Sequence, residues 1–256
     1  VSVKAPTVTT PFFPEPDLAA LDLLACDISR ATHDQGQWFL SWRMAAQAAR
    51  VRIGGASSTF RTLTEWVPGL PMWNPEHEVA VCLFLMTSAM ECWTFALNAL
   101  GFGLSPAQFY DIRKESDLKQ VSARLLLDRR PHRGFQETFP GVMALWRDHS
   151  SSLEVIFDNH SVSKHRHMGL TGWTSRQDPP DRFLELAGVV HPLEAWPFRA
   201  PLQRMPLHRR PKLAQVNRPR ELEHFVDLID LKREFDEVAA ATPATALADV
   251  SARWVR

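Results

Sequence analysis

The residues best able to do chemistry lie in two places. One is the polar run Asp158-Asn159-His160-Ser161-Val162-Ser163-Lys164-His165-Arg166-His167, which closes an amphipathic stretch. Imidazole, ammonium and carboxylate groups packed that densely can give and take protons near neutral pH. The other is Glu91, the one charged residue within the apolar stretch 79–100. Thr87, Glu91, Thr94 and Asn98 are spaced by four, three and four residues, which lines them along one stripe of a helix. A carboxylate in such apolar company must find a donor on a packed neighbour or keep its proton. The helical phase of Leu153, Ile156 and Phe157 carries on to His160, Lys164 and His167, so Lys164 or His160 is the expected partner of Glu91. That meeting makes either a structural ion pair or an acid-base site.

Three histidines in so short a run suggest a metal, but ligands on one helix face need spacings of three or four. The pairs His160/His165, His165/His167 and His160/His167 are five, two and seven apart. The last pair would be separated by about 10.5 Å along an axis rising ~1.5 Å per residue. Only a helix ending near Ser163 would let the remainder wrap an ion, with Glu76 and His77 as outside ligands. There is no Gly-x-Ser-x-Gly elbow, Gly-rich phosphate loop or dinucleotide fingerprint. No metal and no cofactor are expected.

Helices must position these groups. Residues 1–16 hold four prolines and read as an extended leader, after which Asp17 caps a helix beginning at Leu18. A second helix carries Trp38, Leu40, Trp42 and Met44 to about Val51, where Gly54-Gly55 is expected to stop it. Asn74-Pro75 starts the apolar helix, and Gly101-Phe102-Gly103 is expected to end it. Ser105-Pro106 starts another, a charged amphipathic helix follows over 117–130, and one more runs over 140–167. Eight prolines between Pro179 and Pro219 exclude long helix there and call for extended structure. A last amphipathic helix spans 219–241, with a short one after Pro243. The expected fold is all-α: a leader at 1–16, a helical bundle over 17–168, a Pro-rich irregular arm over 169–218 and a C-terminal helical segment over 219–256.

Composition narrows the partners. Lys plus Arg equal Asp plus Glu at 29 each, so no whole-protein field favours a polyanion. The charge is uneven, however. Between Ala195 and Arg220 there is no acidic residue, while Arg199, Arg204, Arg209, Arg210, Lys212, Arg218 and Arg220 are basic. This arm either binds RNA phosphates or a protein partner, or matches the seven carboxylates of 221–237 within the chain. Cys26, Cys82 and Cys92 sit in apolar helical patterns as reduced thiols, which with the absence of a signal-peptide layout points to the cytoplasm. The stretch 79–100 is near the ~20 residues a bilayer needs, but Glu91 at its centre makes it a core helix, and no membrane partner is expected.

The order of these helices, with the long helix carrying Phe84-Leu85-Met86-Thr87-Ser88-Ala89-Met90-Glu91-Cys92-Trp93-Thr94-Phe95-Ala96-Leu97-Asn98 and a later one ending Asp-Asn-x-x-x-x-Lys-His-Arg, resembles the HEPN superfamily of helical bundles over about residues 18–168. The resemblance implies a homodimer. It also implies metal-free RNA cleavage by an Arg-x(4 to 6)-His motif, with His165 in the histidine position and Asn159 as the polar residue that follows the arginine. The arginine position itself holds Asp158, whose carboxylate cannot stabilise a pentacoordinate phosphate as a guanidinium would. Lys164 and Arg166 lie nearby but point elsewhere around the helix. The resemblance therefore implies an RNA-associated or defence-type component with degenerate ribonuclease chemistry. Two other readings stay open: a helical enzyme, with or without a metal, using Glu91 with His160, Lys164 or His165, and a non-catalytic interaction subunit.

Overall fold

A computed structural model describes residues 18–32, 36–65, 75–127, 132–165, 183–186, 189–192, 206–209 and 225–254. The fold is all-α, as expected. The leader at 1–16 and most of the arm lie outside the described residues.

Helix α1 (Ala19–Ala31) leads into a long hairpin of α2 (Gln37–Glu65) and α3 (Pro75–Leu104). Asp17, the expected cap of α1, is not among the described residues; Leu18 holds the N-cap position without a side-chain bond. Helix α2 does not stop at Gly54-Gly55. Ile53, Ala56, Phe60 and Leu63 continue the buried phase of Trp42, Ala46 and Ala49, and packing against α3 outweighs the roughly 1 kcal/mol that each helical glycine costs. Helix α3 starts at Pro75 as expected but runs through Gly101-Phe102-Gly103 to Leu104. Here glycine serves close approach. A Cβ on Gly101 would lie 2.3 Å from carbons of the Phe109 ring, and one on Gly103 would lie 2.5 Å from Trp38.

The chain then breaks into short pieces: a 3-10 turn (Pro106–Gln108), α4 (Glu115–Leu118), α5 (Arg124–Leu127), α6 (Arg133–Thr138), α7 (Pro140–Asp148) and α8 (Ser150–His165). The single helix expected over 117–130 is thus two single turns, and α6 was not foreseen. Side chains that take backbone N–H groups explain the break: the Asp117 carboxylate accepts from Asp111 at 3.2 Å, and Glu91 accepts from Ala123 at 2.8 Å. The helix expected over 140–167 is interrupted at His149, whose carbonyl accepts from Ser152 and Leu153 to start α8.

Two antiparallel pairs of short strands follow: β1 (Phe183–Leu186) with β2 (Val189–Pro192), and β3 (Pro206–His208) with β4 (Phe225–Asp227). The last helix, α9 (Leu228–Trp254), starts later than expected and passes through Pro243 without stopping. Leu231, Phe235, Val238, Thr242, Ala246 and Val250 keep one buried phase across the proline. One core unites α1, α2, α3, α5 to α9 and Leu207 of β3, so the C-terminal helix packs with the bundle.

Nothing lies within 4 Å of a Cβ placed on Gly54. Gly54→Ala should therefore raise stability by about 0.5–1 kcal/mol. Gly101→Ala should lower it by about 1–3 kcal/mol, because the Phe109 ring must move. Urea denaturation of the two variants against the parent chain measures both signs.

Candidate functional site

The α8 run does not present its groups as the sequence suggests. Buried residues Leu153, Ile156, Asn159 and Val162 follow a spacing of three, so the inward stripe winds back around the helix by about 60° at each step. That drift takes Asn159 into the core and leaves Lys164 exposed, against the expectation that Lys164 faces inward. The Asn159 amide donates to the Val155 carbonyl at 2.9 Å. Asp158 and His160 are half-buried, and the His160 ring sits 5.6 Å from the ring of Phe84 on α3. His165 is the last residue of α8; its side chain, Arg166 and His167 are outside the described residues.

Glu91 meets neither His160 nor Lys164. Its carboxylate accepts the Ala123 N–H ahead of α5, with Arg124 adjacent. Burial raises its pKa, while the Ala123 bond and the Arg124 charge pull the other way. Farther along the same face, Asn98 donates to the Tyr110 carbonyl at 3.0 Å and accepts its N–H at 3.2 Å, satisfying both groups of one residue. Thr94 bonds back to the Met90 carbonyl at 3.0 Å. The polar stripe of α3 therefore pins the broken segment 105–127 onto an apolar helix. It does so with hydrogen bonds to backbone, leaving Glu91 committed to a structural donor.

The most unusual ionisable cluster was missed. Lys232 of α9 is 0% exposed, and its ammonium bonds both carboxylate oxygens of Asp236 at 2.6 and 2.5 Å and the Ser57 hydroxyl of α2 at 3.1 Å. The rings of Phe60 and Phe235 flank it, with centroids 5.7 and 5.8 Å away. Burial pulls the Lys232 pKa down and pushes that of Asp236 up to about 6, in each case against the attraction of the partner. The neighbouring Cys82 thiol on α3 is pushed up to about 12 by its own burial, so it stays protonated and is no nucleophile. The sequence did hold a signal: positions 232 and 236 fall in the same helical arc as Leu228, Phe235 and Ala239. The abundance of charge on 221–237 masked it.

Helix α9 also carries polar pins. The Asp249 carboxylate accepts the N–H groups of Gly141 and Val142, both at 3.1 Å, capping α7 from over a hundred residues away. The Trp146 indole donates to Thr242 at 3.0 Å, and Arg253 reaches Thr138 at 3.1 Å. Among the described residues no three His, Cys, Asp or Glu side chains converge as a metal site would require. No protein-family model, curated protein or solved structure matches the chain.

Two outcomes test the buried pair. Lys232→Met strands a buried carboxylate and should cost about 3–5 kcal/mol, whereas Lys232→Met with Asp236→Leu should recover most of that loss. The folded chain holds the Asp236 proton more tightly than the unfolded chain. The stability this contributes is complete below the ordinary value of 3.8 and is lost as pH rises through about 6. The advantage of the parent chain over Asp236→Asn in chemical denaturation should therefore shrink between about pH 4 and pH 7; an advantage that grows would show that pairing outweighs burial.

Proposed function

We propose that this chain is a non-catalytic HEPN-like bundle, an RNA-associated or defence-type component that works in the cytoplasm as a dimer by binding rather than by cleavage. One observation carries the reading: the Asn159 amide is turned into the core and bonded to the Val155 carbonyl. Asp158 stands before it where the resemblance calls for a guanidinium. The other candidate groups support the same view, since Glu91 is held by the Ala123 N–H and Lys232 is fully buried. Binding falls to the acid-free arm, of which Arg209, among the described residues, is exposed.

Fluorescence anisotropy of a labelled single-stranded RNA, titrated with the full chain over a range of salt concentrations, tests this. We expect binding whose logarithm falls linearly with the logarithm of salt, and about tenfold weaker binding when Arg209 and Arg210 are both changed to Glu. We also expect no RNA cleavage. Cleavage abolished by His165→Ala would make the chain a nuclease, and absence of RNA binding would make it a plain interaction subunit.

A further inference from the structure

Where α6 meets the segment that follows α3, the bundle holds a titratable group that the binding role does not use. His132 stands at the N-cap of α6 but makes no side-chain cap bond. Its ring packs among three aromatic rings, with centroids 4.6 Å away at Tyr110, 6.2 Å at Phe135 and 6.4 Å at Phe109. The imidazole Nδ1 is buried there and has no hydrogen-bond partner. A neutral ring tolerates this, because one of its nitrogens carries only a lone pair and the buried Nδ1 then forgoes no more than an acceptor bond. An imidazolium does not. Both of its nitrogens carry hydrogen, so Nδ1 becomes a charged donor sealed against hydrocarbon.

The neighbouring charges are already committed. On α6, Arg133 bonds Glu137 at 2.6 Å, and Glu137 also accepts from Gln108 at 3.0 Å. In the segment ahead, the Asp111 carboxylate accepts from Arg113 at 2.9 Å with Lys114 3.6 Å away, and Asp117 accepts the Asp111 N–H. From α9, Arg253 bonds Thr138, while α3 and the start of α7 bring up Gly101 and Phe139, which carry no charge. Burial alone acts on the His132 ring, holding its pKa below the ordinary 6.5. The same aromatic box joins the elements. Phe109 packs edge-on to Phe135 at 5.3 Å, and a Cβ on Gly134 would lie 2.1 Å from the Gln108 carbonyl oxygen. Asn98 holds both backbone groups of Tyr110, so the six-residue α6 is the side free to give way. We propose that the joint between α6 and Phe109-Tyr110 is an acid-operated latch, closed while His132 is neutral and loosened when Nδ1 takes up a proton, which uncovers Phe135. The unfolded chain takes up this proton near pH 6.5 and the folded chain resists it. The stability tied to neutral His132 is therefore full above that pH and is lost as pH falls below it. The Tyr110 face works the other way, since a cation over an aromatic ring is attracted to it.

NMR of the full chain, labelled with 13C in its His and Tyr rings, decides between them. Tyr110 is the single tyrosine, so its signal needs no assignment, and the His132 signal is the one lost in His132→Gln. On titration from about pH 8 to about pH 5, the His132 signal should move with a midpoint below 6.5. The Tyr110 signal should follow with the same midpoint in the parent chain and stay still in His132→Gln and in His132→Phe. Amide exchange along α6, corrected for the pH dependence of the exchange chemistry, should speed up in the parent by up to about tenfold per pH unit on acidification, and in neither variant. A His132 midpoint at or above the ordinary value overturns the inference, because the Tyr110 face then holds the cation. A low midpoint with an unmoved Tyr110 signal or unchanged α6 exchange overturns it as well, since the proton is then accepted without loosening. An equal Tyr110 shift in the two variants assigns the response to another group and overturns it too.

Discussion

Covering α3 is the constraint on which the rest of the structure depends. Its segment His77–Leu104 has a peak mean hydropathy of 1.6 and is, by length and composition, long and apolar enough to cross a membrane. A helix that is apolar on nearly every side must be surrounded. In this fold α2 lies along it, α8 and α9 cover other sides, and the broken segment 105–127 is held on the remaining face. More than half of that apolar window, 56%, is buried as a result. The few polar side chains of α3 are therefore not spare chemistry. Glu91 and Asn98 hold short segments that have too little regular structure of their own to stay in place.

Helix α9 closes the assembly by a different means. Its apolar positions enter the common core, but its placement is specified by polar groups with single acceptable partners. The indole of Trp146 finds Thr242, the first N–H groups of α7 find Asp249, and Lys232 finds Ser57 of α2. An apolar contact tolerates a slip of one turn; the buried ammonium keeps Asp236 through such a slip, since both lie on α9, but would lose the Ser57 hydroxyl of α2. The Lys232 to Ser57 bond is thus the part of the cluster that is specific to one register of α9 on α2. Burial moves both pKa values against the attraction between the two groups.

What the sequence made legible follows the range of each signal. The start of α3 was readable because Pro at the first helical position acts within one turn. The all-α class was readable because periodicity accumulates over many residues. The end of α3 and the run of α2 through Gly54-Gly55 were not, since a glycine that stops a helix and one that admits a neighbouring ring look alike until Trp38 and Phe109 are placed. The inward turn of Asn159 was hidden for a related reason. Counting from Leu153 assumes a straight stripe, whereas α8 packs along a stripe that winds, and only the neighbours fix its drift. Lys232 was legible in phase and overlooked in character.

Taken together, these placements bear on what kind of activity the bundle can support. Catalysis needs a group with a shifted pKa and an open approach to a substrate. Lys232, Asp236 and Cys82 carry shifted pKa values inside the core, whereas Glu91 and His132 carry shifted values at half-buried positions. The shifts in the core follow from the burial that covering α3 imposes, and the half-buried Glu91 is already bonded to the Ala123 N–H.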